Sequence, residues 1–379
     1  MHLAVNAYFW NRPDTGSGQY VRQLVPSLAQ LAPDLRITLV GPAQLAPPGE
    51  SLPESCTWYP AADWTRAFPR PLAKVFFEQV GFPRACREIE AEVAHVPYWG
   101  SPLRSPIPTV VTIHDLIPLI LCEYRAGVLG RLYTSLAAAA ARGAQHVITD
   151  SFASRSDILT HLSIPPEKVS AIHLAAGDHF RPAPPGLRLD PEVAARYNLP
   201  DEYVLYLGGF DVRKNVRVLL HAYSHIGPAI GDRFPLVLAG RLPDTPSRRF
   251  PDLRAVIDEL GISEYVRTTD YIDEADKPTL YRGAAVLVQP SRYEGFGLTP
   301  LEAMACGTPV VVSNCSSLPE VVGSAGFTLC PDDVEGIAGA IISCATEEKL
   351  RSDLRRRGLV QAARFSWKRT AEQTLQVLQ

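Results

Sequence analysis

Residues 286–314 read VLVQPSRYEGFGLTPLEAMACGTPVVVSN, and this stretch decides the fold. The apolar run Val286–Val288 stops at Pro290 in the manner of a buried parallel strand. A polar, glycine-bearing loop follows over Ser291–Leu298. A helix start comes next, with Thr299 as N-cap, Pro300 at the first helical position and Glu302 three residues after the cap. A second apolar run, Pro309–Val312, is the next strand. Strand, loop, helix and strand in this order build the open α/β sheets that bind ligands at the carboxyl ends of their strands.

The loop carries more polar equipment than a connection needs. Glu294 precedes Gly295-Phe296-Gly297, and Glu302 lies eight residues beyond it. Taken singly, Glu302 reads as a capping-box glutamate and Glu294 as a solvated loop acid. Taken together they read differently. Backbone N–H groups of a glycine loop at a helix start form an anion site suited to a diphosphate. Carboxylates flanking that site accept hydrogen bonds from sugar hydroxyls on either side of the phosphates. Acids facing the phosphates would be repelled, so both must point past them, which favours a sugar nucleotide over bare phosphate.

The E-x7-E pattern within SRYEGFGLTPLEAMACGTPVV resembles the signature of the retaining glycosyltransferases of family 4, which have the GT-B fold. The resemblance implies an α/β protein of two Rossmann-like, doubly wound parallel-sheet domains facing a central cleft. It places Glu294 on the transferred sugar and Glu302 on the nucleotide ribose. Gly295, Phe296, Gly297, Leu298 and Thr299 then line the donor.

Length and composition agree with two domains. The chain has 379 residues, too many for one ordinary core. Its net charge is −3 with 20% charged residues, so nothing argues for a nucleic-acid partner. Seven cysteines, without a C-x-x-C pair, read as reduced and mostly buried thiols of a cytoplasmic protein. The first residues lack a basic region ahead of an apolar one, so no signal peptide is expected. No apolar run reaches the roughly 18 residues of a membrane-spanning helix.

From the amino terminus, His2–Ala7 is a strand, then Gly16 and Gly18 precede a helix carrying Tyr20, Leu24, Leu28 and Leu31 on one face. Strand, glycines and helix start again suit close approach of backbone to phosphate or sugar. The family's matching loop faces the donor diphosphate and the acceptor. Residues Gly41–Pro71 read as loops with one short strand near Thr57–Tyr59, and Lys74–Glu90 as one helix despite Pro83. Val93–Val96 is a strand that delivers Tyr98 and Trp99, which offer rings for stacking on an acceptor sugar. Thr109–Ile113 delivers His114-Asp115. V-V-T-I-H-D-L-I-P-L resembles a family segment whose His lies near the donor sugar's hydroxyls and the reacting centre. Asp115 orients that ring, touches the acceptor or caps the next turn. Ser151–Ser154 caps a helix, with a cap-like S-x-x-D from Ser154 to Asp157.

The proline-rich stretch Asp178–Pro191 reads as a linker. Tyr203–Leu207 is a strand followed by Gly208-Gly209-Phe-Asp-Val-Arg213-Lys214-Asn215, two glycines and two cations before a helix. That is a second anion site, with Lys supplying a point charge and Arg a planar fork. It resembles the family's phosphate loop, with one departure. Many members carry Arg where this chain has Gly209. The edge around Tyr271 and Ile272 resembles the segment that contacts the nucleobase through backbone atoms. Ser317 and Glu320 form another capping-box pattern. The resemblance thus implies an acceptor-binding domain over 1–177, a nucleotide-sugar domain over 178–361, and a helix over 362–379 returning to the first.

The resemblance implies a hexosyltransferase that works with retention. The D-x-D device for divalent metal is absent from the sequence. No metal and no cofactor are therefore expected, and Arg213, Lys214 and loop N–H groups must meet the leaving group's charge. His114 and Glu294 complete the expected catalytic set, as sugar contacts. The wording most resembles bacterial mannosyl and related transferases of cell-surface polysaccharide or glycolipid assembly. GDP-mannose is the first donor expected, UDP-glucose or UDP-GlcNAc the alternatives, and a sugar-nucleotide 2-epimerase of the same fold the further one. The acceptor is a glycan or a lipid-linked sugar, the latter bringing peripheral association with the inner face of the membrane. A monomer or dimer is expected.

Overall fold

Each half of the chain folds around its own parallel sheet. The computed structural model describes every residue except 46, 48–51, 63–68, 126 and 185–188. It divides into one unit of Met1–Leu174 with Ser366–Gln379, and another of Ala175–Phe365. Part of the expected loop region 41–71 and part of the expected linker lie outside the described residues.

In the first unit the strands are β1 (His2–Asn6), β2 (Arg36–Pro42), β3 (Cys56–Ala61), β4 (Val93–Val96), β5 (Thr109–Thr112), β6 (His146–Thr149) and β7 (Val169–Ala171). Their spatial order is β3-β2-β1-β4-β5-β6-β7, with every pairing parallel. Chain direction across the sheet reverses between β1 and β4, so their carboxyl ends flank a natural crevice. Helix α1 (Gly16–Leu31) buries Tyr20, Leu24 and Leu28 of the stripe read from the sequence, with Val21 and Val25 beside them, while Leu31 at its end is only half-buried.

One expected helix is three pieces: α2 (Arg70–Phe76), a π-helical turn (Phe77–Gly81) and α3 (Phe82–Glu88). Pro83 has no N–H for the carbonyl four residues back, and the turn before it widens to the longer pairing. Helices α4 (Ile117–Ile120), α5 (Val128–Gly143) and α6 (Phe152–Leu162) complete the first part of this unit.

The second sheet has β8 (Tyr203–Leu207), β9 (Leu236–Ala239), β10 (Val266–Thr268), β11 (Ala284–Gln289), β12 (Val310–Ser313) and β13 (Phe327–Leu329) in the order β10-β9-β8-β11-β12-β13. All are parallel, and β11 is buried throughout, as the sequence predicts. The reversal falls between β8 and β11. Helices α7 (Pro191–Tyr197), α8 (Val216–Ile230), α9 (Leu253–Glu259), α10 (Lys277–Gly283), α11 (Leu298–Ala305), α12 (Leu318–Val322), α13 (Val334–Thr346) and α14 (Glu348–Ala362) cover it. The sequence reading missed β13 and α7. The latter begins inside the expected linker, with Asp190 accepting from the N–H groups of Glu192 and Val193 and Pro191 in the first turn. Helix α15 (Trp367–Leu378) packs on α1, where Thr370 donates 2.7 Å to the His173 carbonyl.

Gly18 owes its identity to packing. A Cβ there would stand 1.9 Å from the Arg12 carbonyl oxygen. Gly18→Ala must push that backbone aside, and we expect it to cost about 1–3 kcal/mol, as overpacking does. A denaturant melt shows this directly, since an unchanged midpoint would mean the loop yields without strain.

Candidate functional site

The second sheet's crevice assembles the residues its sequence separates. β8 ends at Gly208, whose φ of +149° suits glycine, and the chain turns through Val212–Lys214 before α8. Asn215, left-handed at φ 57°, ties this turn down by donating to the carbonyls of Pro290 (3.1 Å) and Pro331 (2.7 Å). β11 ends beside it and delivers Glu294. Lys214 Nζ donates to Glu294 Oε1 at 2.7 Å, and Arg213 donates to Oε2 at 2.8 Å. Gln289 Nε2 adds a 2.7 Å bond to Oε1. Ser316 and Ser317 fix the backbone, one accepting from the Glu294 N–H at 2.8 Å and the other donating to its carbonyl at 2.9 Å.

This carboxylate is 8% exposed. Burial alone would push its pKa up, but the charges and hydrogen bonds of Lys214 and Arg213 outweigh burial and hold it down at about 2. The group is therefore a permanently ionised acceptor locked in one orientation. Among the described residues, Glu294 is the one hydrogen-bond acceptor for the Lys214 ammonium, which has three N–H groups to give.

Glu302 is the opposite case. The capping box predicted for it does not form. α11 begins at Leu298, its N-cap is Gly297 at φ +117°, and no side chain caps it. Thr299 and Pro300 are therefore inside the helix. Glycine takes the cap because the chain turns there through positive φ, which Thr adopts only with strain. Glu302 instead points into the unit, 5% exposed, and accepts 2.7 Å from the Tyr281 hydroxyl on α10. Burial raises its pKa to about 7 despite the nearby charge of Lys277. Ser317 precedes α12 without capping it, and its hydroxyl donates to the Glu294 carbonyl.

The remaining donor-side residues fall around these two. Gly295 and Gly297 hold the turn between β11 and α11, while Phe296 is buried edge-on to Phe365 and leaves only backbone for a ligand. Leu298 opens the helix. The Gly209 carbonyl accepts from the Tyr206 hydroxyl. Tyr271 is exposed but its N–H already bonds Asp270 at 2.8 Å, and Ile272 is buried.

In the first unit, His114 stands beyond the end of β5. Its Nδ1 lies 2.7 Å from Asp150 Oδ2 and its Nε2 3.2 Å from the Pro97 carbonyl. Both partners are acceptors, an arrangement that favours the protonated ring. Burial pulls its pKa down, yet Asp150 outweighs that and the net shift is upward. Ser154, predicted as a cap, instead donates 3.1 Å to the His114 carbonyl, and Ser151 caps α6. Asp115 Oδ1 accepts 3.1 Å from the Ile117 N–H, which is the turn-capping role among those left open for it. The ring's partner is Asp150, 36 residues away.

Tyr98 corrects the stacking expectation. Its ring is 4% exposed and set edge-on to Phe9 at 4.8 Å, so no sugar can lie on it. Trp99 is half-buried against the same core. Beneath them lies a cluster the sequence reading missed. Glu78 on the π-turn is fully buried and pairs with Lys74 at 2.9 Å, while the Tyr133 hydroxyl donates to it at 3.1 Å. Gly16 opens α1 with free space at its Cβ, whereas the Gly18 N–H is spent on the capping Thr15 hydroxyl at 3.2 Å.

The O-antigen chain mannosyltransferase B of Escherichia coli is 34% identical to this protein over 77% of this chain and 75% of its own. The chain belongs to glycosyltransferase family 4. Residues 193–360 match the family Glycosyl transferases group 1, and residues 15–175 match Glycosyltransferase Family 4. The MMP alpha-(1->4)-mannosyltransferase of Mycolicibacterium hassiacum is 28% identical over 100% of this chain and 97% of its own. A solved sucrose-phosphate synthase from Thermosynechococcus elongatus shares the fold, with a TM-score of 0.78, 22% identity and coverage of 99% and 98%. The two Rossmann-like units of this family 4 glycosyltransferase are those of a GT-B protein. No helix among its described residues is long and apolar enough to cross a membrane, and no cluster of His, Cys, Asp or Glu among them is arranged for a metal ion. Four of its seven cysteines are buried.

Asp150 gives this glycosyltransferase a sharp test. His114 has its pKa raised in the folded state, so the ion pair stabilises fully below the free-histidine value of 6.5 and is lost as pH rises through the folded pKa. Asp150→Asn should cost about 3 kcal/mol near pH 6, since it strands a buried cation. It should also return the His114 titration, followed by NMR, to 6.5 or below. A His114 titration unmoved by the substitution would remove Asp150 from this role.

Proposed function

We propose that this protein is a retaining mannosyltransferase that takes GDP-mannose and extends a glycan or lipid-linked acceptor at the cytoplasmic face of the membrane. The observation that carries the reading is the Glu294 carboxylate held by Lys214, Arg213 and Gln289 at the crevice of the second sheet. The relatives named above, both mannosyltransferases, support mannose as the sugar. In this reading the second unit holds the donor. Glu294 accepts from hydroxyls of the sugar, Glu302 from the ribose, and the loop at Gly295–Thr299 lies on the diphosphate. Lys214 and Arg213 offset the charge that grows on the departing phosphate, without a metal.

The chemistry is a single exchange at the anomeric carbon. Its bond to the phosphate oxygen breaks, and the electron pair leaves with GDP. The acceptor oxygen bonds to the same face, and its proton goes to the leaving phosphate oxygen. Glu294 is already committed to two cations and so is a poor nucleophile, which favours this route over a covalent intermediate. The first unit presents the acceptor.

The test is incubation with GDP-mannose, UDP-glucose or UDP-GlcNAc and a mannose-terminated oligosaccharide, with and without EDTA. An α-mannoside formed from GDP-mannose alone, undiminished by EDTA, is expected. A β-product overturns retention, transfer from UDP-sugars alone overturns the donor, and loss in EDTA overturns metal independence.

A further inference from the structure

At the edge of the second sheet, the ends of two strands bring a pair of cysteines together. β12 and β13 run parallel, with Ser313 beside Leu329. The Asn314 N–H donates 2.7 Å to the Leu329 carbonyl, so the ladder runs on and sets Asn314 beside Cys330. Neighbours across a ladder point their side chains to one face. The Cys315 thiol reaches back to Asn314 Oδ1 at 3.7 Å, which turns it onto the face that carries Cys330. One step along the chain and one strand across put the two Cα atoms roughly 6 Å apart, inside the span of about 4.4–6.8 Å that a disulfide bridges. Both thiols are free, Cys330 exposed and Cys315 half-buried. Burial pushes the Cys315 thiol's pKa up, and the neighbouring Cys330 adds to the rise.

A second observation concerns what flanks the pair. Ser316 and Ser317 follow Cys315 directly and hold the N–H and the carbonyl of Glu294. Ser316 is left-handed at φ 50°, a conformation few residues other than glycine adopt. Pro331 follows Cys330 directly, and its carbonyl accepts 2.7 Å from Asn215, which ties down the turn of Arg213 and Lys214. Asp332, next again, pairs with Arg292 of the loop that carries Glu294. The anchor of the acid and the anchor of its two cations thus each adjoin a thiol.

We infer that Cys315 and Cys330 are a reversible oxidation site, which a peroxide closes into a disulfide and which on closing loosens Glu294 from Lys214 and Arg213. The exposed Cys330 gives up its proton, and its sulfur attacks one peroxide oxygen. The O–O bond breaks, and the departing hydroxide takes that proton as water and leaves a sulfenic acid. The Cys315 sulfur then attacks the Cys330 sulfur. The S–S bond forms as the S–O bond breaks, and the second hydroxide leaves with the Cys315 proton as water. The protein loses two electrons and two protons to one peroxide, and a dithiol returns them. Drawing the sulfurs to bonding distance shifts the corner at Cys315–Ser317 against Cys330–Pro331, so the hydrogen bonds that hold Glu294 and Asn215 lengthen. The inference rests on the proposed function for its effect on sugar transfer, though not for the disulfide itself.

The test is treatment of the reduced full chain with hydrogen peroxide, followed by non-reducing peptide mapping in a mass spectrometer. A cross-linked Cys315–Cys330 peptide pair is expected, and dithiothreitol should remove it. Hydrogen exchange at the Glu294 N–H should quicken about fivefold, as one lost hydrogen bond allows, and recover on reduction. Sugar transfer should fall about tenfold or more and recover likewise, since small misplacements at a reacting centre are costly. Cys315→Ser and Cys330→Ser should each keep the reduced parent's thermal melt and lose the response to peroxide. The site is overturned if Cys330 pairs with the exposed Cys122 instead, or if oxidation stops at the sulfenic acid. A disulfide that leaves exchange at Glu294 unchanged, or serine variants that respond like the parent, would overturn it as well. A reduced parent that transfers no sugar, while the disulfide and the exchange change appear, would uphold the site and count against the enzymatic reading alone.

Discussion

Glu294→Gln is expected to lower kcat/KM for sugar transfer by about a hundred- to a thousandfold, the loss typical of a preorganised charge at a reacting centre. Gln has the same shape but loses the charge. Its amide group can accept on one atom only, so Lys214, Arg213 and Gln289 can no longer all donate to it. The sugar hydroxyl would meet a group whose orientation is no longer imposed. Because Glu294 is proposed to grip the sugar in the transition state, the loss should fall on kcat more than on KM. A kcat/KM within about threefold of the parent's would sink the role.

The same substitution has a stability signature. The folded pKa of Glu294 is about 2 against an ordinary value of 4.5. The stabilisation is therefore fully present above pH 4.5 and is lost as pH falls toward 2, amounting to about 3 kcal/mol. Denaturant melts of parent and variant should differ near neutral pH and converge under acid. Loss of activity without this convergence would assign Glu294 to the sugar alone, with no part in holding the two cations.

The central stretch was legible because each of its features is local. A strand run, glycines and a helix pattern lie within Val286–Asn314, and β11, α11 and β12 follow them closely. What failed there was the cap, because T-P-L-E fits a capping box while Gly297 bends the chain two residues earlier. The partners of the site residues were not legible, since they arrive from other crossovers. Asp150 follows β6, and neither its spacing from His114 nor its own neighbours marks it; only strand adjacency in the sheet brings the two together. Lys74, Glu78 and Tyr133 could have been paired in part, because Lys74 and Glu78 lie four apart on a helix. Tyr281 and Gln289 gave no signal at all. One sits on a short helix, the other ends an apolar strand, and each matters only through the carboxylate it meets. Tyr98 misled for a related reason: an aromatic after a strand can face ligand or core, and only the positions of Tyr8 and Phe9 decide which.

The second large effect is a pH dependence of donor binding that runs through Glu302. Its pKa of about 7, raised by burial, means that the folded protein holds this proton far more tightly than the unfolded chain does. Stability should therefore fall as pH rises from 4.5 to about 7 and then level, a penalty of about 3 kcal/mol. Glu302→Gln removes the penalty and keeps the Tyr281 hydrogen bond, so it should stabilise the free protein at neutral pH. The parent keeps the acid because an ionised carboxylate is the better partner for ribose hydroxyls, at the expense of stability. Ribose hydroxyls that donate to Glu302 favour its charged form, so donor binding must lower its pKa and release a proton. Affinity for GDP-mannose should then rise with pH, by up to about tenfold per unit, until about pH 7 and stay flat above it. The sugar nucleotide is the ligand to use, because its diphosphate is esterified at both ends and does not titrate in this range. Calorimetry near pH 6 in two buffers of different ionisation heat would report the released proton directly. In Glu302→Gln the release should vanish and affinity should become weak and independent of pH. If the parent's affinity is flat across this range, or falls as pH rises, the ribose does not bind at Glu302, and the variant's gain in stability would mark the residue as a buried acid held only by Tyr281.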